Sequence, residues 1–225
     1  MILIADSGST KTDWCYGTEI ANCKIVQTEG INPFHQPEEK IQSIIYNELL
    51  PQLETPIQRC TAIYFYGAGC LPPKTESITR VLQNTFPEAD IFIETDLLGA
   101  ARALCKNEAG IACILGTGSN SCLYDGKTII QNIPPLGYIL GDEGSGAYLG
   151  KRFISDCLKG QLPEILRDGL QEKFNLTIPE ILDKVYRQPQ ANRFLASFTP
   201  YIYEHRRMTQ VHAFLLDCFG EFFRR

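Results

Sequence analysis

Three short stretches carry side chains that could bind or move a phosphoryl group. They are Asp6-Ser7-Gly8-Ser9-Thr10, Gly116-Thr117-Gly118-Ser119 and Gly141-Asp142-Glu143-Gly144-Ser145-Gly146. In the first two, small residues follow an apolar run, so backbone N–H groups can approach an anion closely and hydroxyls add donors; such concavities hold phosphate. Taken singly, each turn reads better as an ordinary hairpin. Two in matching positions shift the balance toward a phosphate clamp between two domains. The third stretch combines two carboxylates with three glycines and leads into an apolar helix from Ala147. An N-cap at Asp142 or Ser145 would explain one acid and one glycine of it, not the cluster. Asp96 follows the predicted strand Asp90–Glu94, at the carboxyl end where open α/β sheets place ligand groups. An N-cap reading of Asp96 has equal weight. Gly126-Lys127-Thr128 imitates the end of a Walker A loop, but position 121 is Ser where that loop needs Gly, so a hairpin turn is the reading.

The elements that must position these residues follow from periodicity. Residues 1–5 are continuously apolar and predict a buried strand; 13–17 and 20–28 predict two more. Pro37 opens a helix with Glu38 and Glu39 at its positive end and a one-sided stripe of Ile41, Ile44, Ile45 and Leu49. A strand at 61–66, a helix over 74–86, a strand at 90–95 and a helix over 96–105 complete a βββαβαβα order, which implies a mainly parallel sheet covered on both faces. At Gly110 the pattern restarts with strands at 110–115, 121–124 and 128–131. The match of Ile4–Ser9 to Ile114–Ser119 points to a duplicated half, with domains over 1–108 and 109–225. After Gly146 the chain is helical, with Pro163 and Pro179 each at a first helical position and further helices over 192–205 and 209–223. The second sheet stops short, and we expect the chain to be a piece of a longer protein.

Composition narrows the function classes. Of the 225 residues, 44% are apolar, the usual level for a globular chain that buries a sizeable core. The net charge of −5 argues against nucleic acid as a partner, and Arg206-Arg207 and Arg224-Arg225 read as solvated helix faces. No apolar run has the length of a membrane span, and the N-terminus does not read as a signal peptide. The nine cysteines contain no C-x-x-C pair. They read as free thiols in a reducing cytosol, with Cys60, Cys113 and Cys122 as small hydrophobes inside apolar runs. A cytoplasmic chain is therefore expected. His35, His205 and His212 read as structural or surface residues.

Together these residues resemble the sugar kinase/actin/heat-shock-70 ATPase superfamily, and within it the N-acetylglucosamine kinase group of the BadF/BadG-type ATPase family. The motifs that carry the resemblance are Asp6–Thr10 (Asp-x-Gly-x-Thr), Gly116–Asn120 (Gly-Thr-Gly-Ser-Asn), Thr95-Asp96, Asn32 after the third strand, and Gly141–Ser145, the most specific. The resemblance implies an α/β, ribonuclease H-like/actin-like ATPase fold with duplicated βββαβαβα halves, the second incomplete and carrying a helical region. It implies ATP and Mg2+, with Asp6 in the magnesium shell. Gly8, Thr10, Lys11, Thr117 and Gly118 would contact ATP, and Asn32, Ser119, Asn120, Gly137 and Asp142 would face a sugar. Asp96 would be the general base that takes the proton of the sugar hydroxyl. The implied activity is phosphorylation of an amino sugar such as N-acetylglucosamine at its 6-hydroxyl, and Asn32, Asp96 and Asp142 are expected to share one cleft. The partners are then a sugar and ATP, without nucleic acid or membrane, and a homodimer stays open. Two departures stand out: Asn32-Pro33-Phe34 occupies a place where some members carry Trp, and the family's adenosine-binding Gly-rich motif has no counterpart here. Two other readings stay in play. One is a BadF-type ATPase activator with an iron–sulfur cluster, for which Cys70, Cys113 and Cys122 lack paired spacing. The other is a non-catalytic sugar or nucleotide sensor or an actin-like scaffold.

Overall fold

The computed structural model describes residues 1–54, 56 and 59–224; Arg225, of the basic pair at the end of the sequence, lies outside them. The chain divides into two compact units, Met1–Ala112 with Cys122–Gln131, and Cys113–Ser121 with Asn132–Arg225. Among the described residues no helix is long and apolar enough to cross a membrane.

The first unit runs β1 (Ile2–Ser7), β2 (Lys11–Gly17), β3 (Lys24–Glu29), α1 (Glu38–Ile44), β4 (Ala62–Gly67), α2 (Thr75–Thr85), β5 (Asp90–Thr95) and α3 (Asp96–Cys105). Its sheet has the order β3-β2-β1-β4-β5. β1 is antiparallel to β2 and parallel to β4, which is parallel to β5. The core lies on one face, where Leu3, Ala5, Trp14, Ile63 and Phe65 meet Ile41, Ile44, Ile45 and Leu49 and, from α2, Ile78, Val81 and Leu82. Trp14 is fully buried, and its indole N–H is satisfied by Thr28 Oγ1 at 3.0 Å. The other face is covered by α3 only in part. Ile2 and Ile4 are therefore 43% and 44% exposed, where the apolar run predicted burial of both faces.

Three local departures have physical causes. α1 ends at Ile44 and continues as a π turn (Ile45–Leu49) and a 3-10 turn (Leu50–Gln52). Pro51 has no N–H to return to a carbonyl four residues back, and the ladder changes ahead of it while the apolar stripe stays buried. Residues 20–22 form a 3-10 turn rather than strand, closed by the Asn22 N–H on Glu19 O at 3.2 Å. In β6 (Gly110–Leu115), alternation places Cys113 with Ile111 and Leu115 on an exposed face, so Cys113 is exposed while Cys60 and Cys122 are buried.

β6, β7 (Ser119–Tyr124) and β8 (Ile129–Ile133) form a three-stranded sheet in that order. The Asp125–Thr128 turn between β7 and β8 is held by the Asp125 carboxylate, which accepts the N–H groups of Lys127 and Thr128 at 2.8 and 2.7 Å. The hairpin reading of the Walker-like residues thus stands on geometry. Among the described residues seven helices follow: α4 (Gly137–Leu140), α5 (Gly146–Leu158), α6 (Glu164–Phe174), α7 (Ile178–Tyr186), α8 (Ala191–Ala196), α9 (Thr199–Glu204) and α10 (Thr209–Phe223). Their core centres on Phe153, Leu166, Phe198, Tyr201, Ile202 and Val211. Pro163 caps α6 rather than opening it, and Pro179 is second in α7, because Thr177 and Glu180 form a capping box there. The single helix expected over 192–205 is split; Pro200 cannot donate back to Ala196.

Candidate functional site

In the first unit the strand ends form a row. Ser7 is level with Gly67, and Gly67 with Thr95, so the carboxyl ends of β1, β4 and β5 coincide. Asp6 sits one residue before this row and Asp96 one residue after it. Thr95, not Asp96, is the N-cap of α3: its Oγ1 accepts the Leu98 N–H at 3.2 Å. Asp96 is freed from capping and occupies the first helical position, where its Oδ1 accepts the Leu97 N–H at 2.9 Å.

Electrostatics set this row apart. Burial pushes the Asp96 carboxyl above the usual carboxylate range; the Leu97 N–H opposes this and the Asp6 charge adds to it. Asp6 is also raised, first by desolvation, then by Asp13, against the pull of Lys11. Lys11 itself pairs with Asp13 at 2.7 Å. Cys70, buried just after β4, is pushed up to about 12 by burial and then by Asp96.

A carboxyl raised in the folded state binds its proton more tightly folded than unfolded. Its contribution to stability is fullest below the unfolded value near 3.9 and is lost as pH rises through the raised folded value. Asp96→Asn and Asp6→Asn are each expected to raise the melting temperature at pH 7, by about 2–4 °C per kcal/mol of strain relieved, with the gain shrinking as pH falls toward about 4. Thermal unfolding between those pH values checks this; an unchanged or lower melting temperature at pH 7 refutes it.

The turn from Ser7 to Lys11 is locked from below. Ser7 and Thr12 are fully buried and share a 2.6 Å hydrogen bond. Ser7 Oγ donates to Ile31 O at 2.8 Å, and the Ile31 N–H reaches Ser7 Oγ and Thr12 Oγ1 at 3.0 and 3.2 Å. Gly8 closes the turn through its N–H on Lys11 O at 3.0 Å, and the Gly30 N–H binds Thr10 O at 3.1 Å. A Cβ at Gly30 would stand 2.4 Å from Gly8 O, so only glycine allows this approach. The lock delivers Asn32, which is buried: its N–H donates to Gln36 Oε1 at 2.9 Å, its Oδ1 accepts the Phe34 N–H at 3.0 Å, and its amide lies against Gly69. The sequence reading singled out neither Thr12 nor Gln36, took Ser7 only as part of a turn, and weighed Cys70 only for an iron–sulfur cluster. Gln36, four residues after Asn32, was the readable signal; the buried hydroxyls looked like turn residues.

In the second unit the turn Gly116–Ser119 is tied to the stretch Gly141–Gly146. The Gly146 and Ala147 N–H groups donate to Gly116 O and Thr117 O at 2.8 and 3.1 Å. Asp142 lies against Gly118, and its Oδ1 accepts the Ser119 N–H at 3.3 Å. Burial raises the Asp142 carboxyl; the Ser119 N–H opposes this, Glu143 adds to it and Lys151 offsets it. Ser145, not Asp142, caps α5, accepting the Tyr148 N–H at 3.1 Å. Leu136 and Asp142 take positive φ (59° and 56°), strained backbone of the kind that persists at working sites, beside Gly137 and Gly144, which take it without cost (76° and 72°). Ser119, Asn120, Leu136, Leu140 and Glu143 are among the residues lining a cavity of about 210 Å³. Asn120 Oδ1 accepts from Ser121 N and Asn132 Nδ2 at 2.9 and 2.8 Å. The sequence-predicted residues are thus gathered as Asp6, Gly8, Thr10, Lys11, Asn32 and Asp96 in the first unit. Thr117, Gly118, Ser119, Asn120, Gly137 and Asp142 gather in the second.

A β3-β2-β1-β4-β5 sheet with acids at its strand ends defines the actin-like ATPase fold, and an ethanolamine utilization protein EutJ from Carboxydothermus hydrogenoformans shares it (TM-score 0.51, 13% identity, 93% of this chain and 64% of that one). No protein-family model matches the chain. A crystal structure of a proposed N-acetylglucosamine kinase from Porphyromonas gingivalis superposes with a TM-score of 0.96 at 49% identity, over 100% of this chain and 80% of that one. On that likeness, the chain belongs to the N-acetylglucosamine kinase family. A second proposed N-acetylglucosamine kinase, from Chromobacterium violaceum, shares the fold at 21% identity (TM-score 0.71, 98% of this chain and 79% of that one). A curated relative, the glucosamine kinase GspK of Vibrio cholerae, is 31% identical over 129 residues, 55% of this chain. That match spans 42% of the relative's length, less than half.

Proposed function

We propose that this protein transfers the terminal phosphoryl group of ATP to a hydroxyl of an amino sugar, N-acetylglucosamine or glucosamine, with Asp96 as general base. The observation that carries the reading is Asp96 itself: a carboxylate released from capping by Thr95, held at the strand-end row, and raised by burial and by Asp6. A base poised above the ordinary carboxylate range accepts a hydroxyl proton better than a solvated Asp. The names of the Porphyromonas and Vibrio relatives support the substrate class.

Each unit contributes by position. The Ser7–Lys11 turn offers the Thr10 hydroxyl and backbone N–H groups to phosphate oxygens, and Thr117 and Gly118 offer the same from the second turn. Asn32 supplies a fixed amide, and Ser119, Asn120 and Asp142 supply short polar groups suited to sugar hydroxyls, with Gly137 at the bend beside them. Asp6 would hold a magnesium ion through its carboxylate, with Asp96 kept for the proton. Mg2+ takes one or two carboxylates and otherwise water and phosphate oxygens. Among the described residues no cluster of three or more His, Cys, Asp or Glu forms a protein cage. When bound, such an ion neutralises charge on the phosphates.

Release of ADP, followed with N-acetylglucosamine, glucosamine and glucose in turn, tests the reading. Sugar-dependent release with kcat/KM at least about tenfold higher for an amino sugar than for glucose is expected, a margin of ~1.4 kcal/mol. ATP hydrolysis that ignores the sugar refutes it. Thr10→Ala and Thr117→Ala should each weaken ATP binding by roughly tenfold or more, the worth of a hydrogen bond to a charged group. Unchanged affinity by calorimetry in both variants would make the turns purely structural.

A further inference from the structure

The outer end of the β2–β3 hairpin carries two thiols that no role above uses. Cys15 pairs across the hairpin with Ile25, and Tyr16 with Lys24. Continued by one residue beyond the last pair, this register sets Cys23, just before β3, across from Gly17 and diagonal to Cys15 on one face. Gly17 presents no side chain to hold the two apart; a Cβ there would stand 3.1 Å from Cys23 Cα and 3.4 Å from its Cβ. The Cys23 side chain can therefore lean over the glycine toward Cys15. Cys23 is exposed and Cys15 half-buried. Burial, then the neighbouring sulfur, raises the Cys15 thiol. Diagonal neighbours on one face of an antiparallel pair lie within about 7–8 Å, and a disulfide needs Cα atoms within roughly 4.4–6.8 Å, so the remaining gap is within the reach of the short 3-10 turn and loop residues that precede β3.

We propose that Cys15 and Cys23 form an oxidisable pair that closes to a reversible disulfide across the β2–β3 hairpin when the protein meets a peroxide. The sulfur of exposed Cys23 attacks one peroxide oxygen. The O–O bond breaks, water leaves, and Cys23 becomes a sulfenic acid. The Cys15 sulfur then attacks the Cys23 sulfur; the S–S bond forms, the S–O bond breaks, and the hydroxyl departs as a second water with the Cys15 proton. Two thiols lose two electrons and two hydrogens, and the peroxide is reduced to two waters. A thiol reductant reverses the closure by exchange. The pair shields Cys23 from the irreversible sulfinic and sulfonic steps, because sulfenic acid beside a second thiol condenses first.

The sequence makes the test direct, since cleavage after Lys11 and Lys24 releases residues 12–24 with both cysteines and no other. The folded full chain is treated with hydrogen peroxide at about one to two equivalents, blocked with iodoacetamide, digested and weighed. A 12–24 peptide about 2 Da lighter than the reduced form, unalkylated, and restored to two alkylations by dithiothreitol is expected. In Cys15→Ser, the same treatment should instead leave Cys23 as sulfinic acid, and Cys23→Ser should leave Cys15 alkylatable and unoxidised. A peptide that stays reduced while exposed Cys113 oxidises, or that gains two oxygens in the native chain, overturns the proposal. So does Cys23 linked to a cysteine other than Cys15.

Discussion

Asp96→Asn should lower sugar-dependent turnover by ~10²–10⁴-fold while leaving ATP affinity nearly unchanged, the span that general-base removal typically costs. The amide keeps the Oδ1 acceptor for the Leu97 N–H, and Thr95 still caps α3, so the helix start survives. What is lost is the only feature the amide cannot reproduce, a group able to take a proton. The loss should fall on kcat with KM for ATP holding. Turnover within about threefold of the native protein would remove Asp96 from the chemistry, since even ~1 kcal/mol of transition-state stabilisation is worth more than that. The native rate should also fall as pH drops through the raised Asp96 value, earlier than an ordinary carboxylate would dictate.

Gly30→Ala should damage both stability and nucleotide binding. The added methyl would stand 2.4 Å from Gly8 O, 2.8 Å from Lys11 N and 2.8 Å from Ser9 C, all backbone atoms that cannot rotate away. Overpacking of this kind costs about 1–3 kcal/mol, and loss of the Gly30 N–H bond to Thr10 O adds about 1. The turn must open to relieve the clash, which spreads the donors proposed to bind phosphate. Urea unfolding should show a lower midpoint, and calorimetry should show ATP affinity reduced by tenfold or more, ~1.4 kcal/mol, in protein that is still folded. Native affinity in the folded variant would show that the turn's shape is immaterial to the nucleotide.

How much of this was legible varied by residue. The stripe Ile41, Ile44, Ile45 and Leu49 stated its own burial, and Asp90–Thr95 followed directly by Asp96 gave both a strand and an acid at its end. The capping question at Asp96 could not be settled by reading, because Thr95 and Asp96 are both good caps; only the backbone chooses, and it chose Thr95. The hydroxyls of Ser7 and Thr12 were illegible for a different reason. Their partners, the backbone groups of Ile31, lie across the sheet, and no local pattern announces a contact made by tertiary folding. Composition likewise could not say which face of β1 would be covered, since Ile2 and Leu3 look alike in sequence and differ in burial.

The five-stranded sheet has two borders. β3 and β5 are its outermost strands, and such borders offer unpaired N–H and C=O groups to any passing chain. β3 begins at Lys24, which is ion-paired with Glu54, and ends at Glu29, ion-paired with Lys40 at 2.6 Å. β5 begins at Asp90 and carries Glu94 beside its last residue. A foreign strand laying itself along either border would have to strip water from these charges at both ends of the ladder. Fibrillar growth through these borders is thereby discouraged, even though Ile25 on β3 and Phe92 on β5 stand 70% and 47% open to solvent.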